Sequence, residues 1–182
     1  MLQSPYRRGA HDGFTFGIYL TAMFFCSIFA INVPLLGLIS FVLMVGVPLV
    51  IYRYLVSFER SLGEAASFPM LWMQGVVIFF CGSLIVSAAM VVYMKWIEPD
   101  YILNQIKMVA DMSGTAPGTF MDEAAEVAQA MIDNKFIPSP ISIMTEIIML
   151  AIVTGSILSI AISALLALKR NTRRTRNQMI KH

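Results

Sequence analysis

Few side chains in this 182-residue chain are of a kind that does chemistry, and one acid stands apart from its surroundings. Glu146 lies just inside the start of an apolar run in which no residue from Ile147 to Leu168 is charged. An ionised acid at the centre of a bilayer costs about 3 kcal/mol on insertion scales, so it is either functional or close to water. One reading makes Glu146 a proton or cation site facing a bundle interior. The other pairs it with Lys95, which ends the preceding apolar run at the same membrane boundary. No second acid lies inside a predicted span to continue a relay, which favours the pair.

The other reactive residue types are sparse or badly spaced. Asp122, Glu123 and Glu126 lack the alternating oxygen ligands and the glycine of a calcium loop, and read as one solvated helix face. Cys26 and Cys81 fall in separate apolar runs with no second cysteine nearby, so metal spacing and a disulfide framework are both unsupported. His11 and His182 sit near the termini on the inner side, and neither is expected to have a paired acid or cysteine in reach. The 14 methionines form no dense cluster and read as packing residues. There is no glycine-rich phosphate loop, zinc spacing or nucleophile elbow. No catalytic, cofactor-binding or metal-ligating residue is expected, and the reading leans away from an enzyme.

The elements that must position these residues are membrane helices. The chain is 58% hydrophobic and only 13% charged, with a mean hydropathy of +0.74. A water-soluble domain averages about 25% charged residues, and half that share does not cover a globular surface. Four runs are long and apolar enough to span a bilayer, over about residues 13–33, 35–58, 70–96 and 141–168. The expected fold is therefore an all-α membrane four-helix bundle forming one domain. Asn32-Val33-Pro34 makes a tight break, so the first two spans form an antiparallel hairpin. Pro48, beside Gly46, removes a backbone hydrogen bond inside the second span and is expected to kink it. Trp72 near one end of the third span, with Tyr93 and Trp96 near the other, suits interfacial aromatic belts. A cleavable signal peptide is disfavoured, because Phe14–Val33 is too long for its apolar region and no small-residue cleavage site follows.

Residues 98–139 break the pattern, holding seven acids and two lysines. Pro99 suits a first helical turn, after which Ile102, Ile106 and Val109 share a face. A turn cluster over residues 113–118 follows, and Thr119 then caps a second helix with Asp122 at its third position. Phe120, Ala124, Val127, Ala128 and Met131 are expected on its apolar face. These two amphipathic helices form an outer cap. Orientation follows from the cations. With both termini in the cytoplasm, ten Lys and Arg residues fall inside and three, Lys95, Lys107 and Lys135, fall outside.

Two further features concern association rather than reaction. Gly155, Ser159 and Ser163 repeat every fourth residue, and the third span offers Gly75 and Gly82 for close helix packing. This ladder serves packing within one subunit or a dimer face, and the oligomeric state stays open. Lys169, Arg170, Arg173, Arg174 and Arg176 follow the last span directly, in a basic tail over residues 169–182. Their position suits anionic lipid headgroups at the cytoplasmic face better than nucleic acid.

Phe68, Trp72 and Gln74-Gly75, then Glu98-Pro99-Asp100-Tyr101, then Ser139-Pro140 resemble the pattern of a family of small four-span bacterial membrane proteins. That family carries only a domain-of-unknown-function label. The resemblance covers nearly the whole chain. It implies an inner-membrane location and a multi-pass layout with an outer loop between spans three and four. It also implies, by association, a polyprenyl-phosphate glycosyltransferase as partner, and it supplies no catalytic residues. The leading expectation is a non-enzymatic accessory subunit that anchors or assembles such a partner. The alternatives are a small transporter or lipid flippase component using Glu146, and a membrane enzyme acting on lipid.

Overall fold

The computed structural model describes residues 5–31, 33–112 and 119–179, and of residues 5, 6, 64 and 170–179 it describes the backbone alone. Among these residues the fold is all-α. Helices α1 (Pro5–Phe29), α2 (Pro34–Leu62), α3 (Phe68–Val92) and α6 (Pro140–Met179) are the long ones, and α4 (Tyr101–Ala110) and α5 (Phe120–Asp133) lie between α3 and α6 in sequence. A 3-10 turn over Gly63–Ala65 links α2 to α3, and a π-helical turn over Tyr93–Ile97 extends α3. Four stretches are long and apolar enough to cross a membrane: Arg7–Phe29, Pro34–Leu62, Phe68–Ile97 and Pro140–Lys169. The protein is a multi-pass membrane bundle.

The predicted turn cluster over residues 113–118 lies outside the described residues, as does Asn32. The chain divides into two compact units, one of residues 1–86 and 147–182, the other of residues 87–146.

The first unit is a bundle built on glycine and serine. Gly9, Gly13 and Gly17, one turn apart along α1, let that helix lie against α3. A Cβ at Gly13 would come 2.6 Å from the Cβ of Cys81, and one at Gly17 would come 2.7 Å from the Cβ of Ile85. With no hydrophobic drive between helices in lipid, such close approach is what holds them. The same approach joins α3 to α6, where Gly75 faces Ser159 and Gly155 faces the ring of Phe79. Phe16, Ile51, Leu55, Phe58, Leu71, Ile78, Phe79, Ile162 and Leu166 fill the core, so every long helix contributes to it.

Besides this core, polar pins hold helix α2 to α1. Arg8 Nη2 donates to Ser57 Oγ at 2.8 Å at one end. The Tyr19 hydroxyl donates to the Leu43 carbonyl in the middle, and the Ser27 and Ser40 hydroxyls pair at the other end. Gly46 leaves room for the middle pin, since a Cβ there would stand 2.8 Å from the Tyr19 oxygen. This is the antiparallel hairpin that the Pro34 break predicts. α2 runs as one helix through Pro48.

In the second unit, α4 and α5 form the two expected amphipathic helices. Pro99 precedes α4 rather than opening it, because the turn at Pro99 and Asp100 delays the helix to Tyr101. On α5 the buried positions are Ala125 and Ala128, whereas Phe120 is 81% and Val127 60% exposed. Of the predicted apolar face only Ala128 is buried, and Ala125, outside that face, is buried with it, because alanines are small enough for a neighbouring helix to approach.

Candidate functional site

Glu146 and Lys95 are both exposed, and no ion pair joins them among the described residues. Gly75, Gly155, Ser159 and Ser163 are all buried on α3 and α6. Gly82 lies instead against α1, where a Cβ would come 2.6 Å from Phe16 Cδ1. The hydroxyls of Ser159 and Ser163 are fully buried without a hydrogen-bond partner among the described residues, so these serines act by their small size. Trp72, read as an interfacial anchor, donates its indole N–H to Ser156 Oγ at 3.1 Å.

Lys169 is exposed at the end of the apolar part of α6. The side chains of Arg170, Arg173, Arg174 and Arg176 lie outside the described residues. Their backbone continues α6 without a break to Met179.

Asp12 is an acid within a span that does lie among other polar groups. The sequence reading starts the first span at about residue 13 and so leaves Asp12 outside it, in a stretch that carries Arg7, Arg8 and His11. The helix in fact begins at Pro5, and its glycine face carries Asp12 to the edge of α3. There the Gln74 side chain, itself only 2% exposed, hydrogen-bonds the Asp12 carboxylate. His11 Nδ1 stands 3.6 Å from Asp12 Oδ1, with side-chain exposures of 81% and 14%. His11 therefore does have an acid beside it, which corrects the reading that left it without one. Arg8, besides its bonds to Ser57, lies 5.9 Å from the centre of the Phe58 ring. Arg7, Arg8, His11 and Asp12 line an open cavity of about 370 Å³. The missed signal was visible: Gly9, Gly13 and Gly17 at four-residue spacing make a helix-packing stripe that starts before the apolar run.

A second cavity, of about 330 Å³, opens where α2 ends beside the end of the apolar part of α6, between Tyr52, Val56, Glu59, Arg60, Leu166 and Lys169. The second unit carries a separate polar network. Glu98 Oε2 accepts from the Tyr93 hydroxyl at 2.8 Å, and its Oε1 accepts from Asn104 Nδ2 at 3.3 Å. The rings of Tyr93 and Tyr101 meet edge to face at 5.6 Å. Burial pushes the Tyr101 phenol above its ordinary range, and the nearby Glu98 charge adds to that. Among the described residues no three His, Cys, Asp or Glu side chains come together to hold a metal ion.

Compared with known proteins, residues 11–167 match one family model, described as "Protein of unknown function (DUF4199)". No curated protein and no solved structure matches the chain.

Proposed function

The chain belongs to this family of unknown function, and from that premise we propose that it is a non-enzymatic accessory subunit holding a partner protein at the membrane. One observation carries the reading: α6 does not stop where the apolar span stops. It continues as helix through residues 170–179, about 15 Å at 1.5 Å per residue. Arg170, Arg173, Arg174 and Arg176 follow Lys169 on that extension, so a cationic rod is fixed rigidly to a membrane anchor. Such a rod attracts anionic headgroups and acidic protein surfaces alike. In the proposed setting, a bacterial inner membrane with both termini cytoplasmic, the rod faces the cytoplasm. The partner implied by the family resemblance is a polyprenyl-phosphate glycosyltransferase.

A second reading has its own support. The carboxylate of Asp12 sits inside the first span against buried Gln74, and an ionisable group inside a membrane bundle marks a conduction path often enough to be tested. That would make the protein a small transporter or flippase component. One experiment separates the two. The protein is purified from native membranes in mild detergent, as wild type, Asp12→Asn, Glu146→Gln and a chain truncated after Lys169. An anchor retains a stoichiometric partner in both carboxylate variants and loses it on truncation. Recovery of the wild-type protein alone overturns the anchoring reading, and loss of substrate flux in Asp12→Asn supports the transporter.

A further inference from the structure

We propose that the cavity between the end of α2 and the end of the apolar part of α6 binds the phosphate group of a membrane lipid, with Arg60 and Lys169 as its charged contacts. The lining is ordered along the helix axes. On α2, Tyr52 and Val56 lie deeper in the span, and Glu59 and Arg60 lie at its end. On α6, Leu166 lies deeper and Lys169 lies at the end of the apolar span. Apolar walls toward the bilayer and cations toward the water repeat the polarity gradient of a lipid, with acyl chains above and phosphate below. Arg and Lys both place their apolar stems along such a wall and their charges at the headgroup level. Tyr52 adds an aromatic ring near the interface, where rings of this kind settle.

The size and charge of the cavity also fit. Its volume of about 330 Å³ falls within the usual range of small-molecule pockets, about 300–1,000 Å³. Arg60 and Lys169 together outweigh Glu59 by one positive charge, which favours an anionic headgroup. Free phosphate lacks the acyl chains that Val56 and Leu166 would cover. The site goes beyond the anchoring reading and does not depend on it. If the protein purifies without a partner but still takes up lipid, the anchor falls and this site stands.

The test is lipid binding by the full chain in a neutral, phosphate-free detergent, followed by native mass spectrometry. The probes are phosphatidylglycerol, a polyisoprenyl phosphate, diacylglycerol and inorganic phosphate. Phosphate-bearing lipid is expected to bind more than ten-fold tighter than diacylglycerol or inorganic phosphate. Whichever of the two phosphate lipids binds tighter identifies the source. Arg60→Gln and Lys169→Gln are each expected to weaken binding about five-fold. Arg53→Gln, an exposed cation of α2 outside the cavity, is expected to leave it unchanged. Should the double variant melt early, Val56→Trp keeps both cations while filling the cavity and is expected to abolish binding. Unchanged affinity in the double variant, equal weakening by Arg53→Gln, or equal binding of diacylglycerol or inorganic phosphate overturns the proposal.

Discussion

Glu98 accepts two side-chain donors at once, from Tyr93 and Asn104, on either side of the turn that carries it. The Glu98-Pro99-Asp100-Tyr101 run is therefore a folding device: the acid ties the π-helical end of α3 to the first turn of α4. Tyr101 feels that acid. Its phenol titrates above its ordinary value of 10.0, from burial first and from the Glu98 charge second. A raised folded-state pKa means that the neutral phenol is favoured by folding. The stability it contributes is fully present below pH 10 and is lost as pH climbs through the folded-state value. An alkaline melting series should show the wild type losing more stability above pH 10 than Tyr101→Phe does. Parallel losses in the two proteins would show that Tyr101 is not the group involved.

Helices in lipid approach only where side chains let them, and α1 shows the consequence at the level of a whole element. Adding bulk at Gly13 would meet Cys81 and the Ile78 carbonyl, which is backbone and cannot turn aside. Gly13→Leu should lower stability by about 1–3 kcal/mol through overpacking. Gly37→Ala, whose added carbon meets only the Ala30 methyl at 3.4 Å, should stay close to wild type. Denaturant unfolding in detergent checks both, and a Gly13→Leu protein as stable as wild type would contradict the packing described for α1. The spans themselves were legible in sequence because an uncharged run of bilayer length suits a bilayer and little else. The start of α1 was not, because hydropathy stops at the charges of Arg7, Arg8 and Asp12. Arg8 is accommodated through Ser57 and Asp12 through Gln74, partners that lie far off in sequence. For the same reason Asp12 went unnoticed while Glu146, alone in an apolar stretch, drew attention. On α5, periodicity gave an amphipathic helix but aimed its stripe at Phe120 and Val127, whereas the side a neighbour covers is centred on Ala125 and Ala128.

For the molecule as a whole, the distribution of charge gives the proposed orientation a direct check. After Cys26 and Cys81 are replaced by alanine, a cysteine at Lys107 should react with a membrane-impermeant maleimide in intact cells. One at Arg53 should react only after permeabilisation, and the reverse pattern would invert the topology. The α1–α2 hairpin carries a different kind of consequence. α2 buries only Ser40, Ile51, Leu55 and Phe58, and three of its polar ties run to α1 at the two ends and the middle. The three ties of this pair need nothing from α3 and can form before it has left the ribosome. During synthesis, then, the first two spans can enter the bilayer as one prepaired unit. The glycine stripe of α1 waits on its far side as the template on which α3 lands.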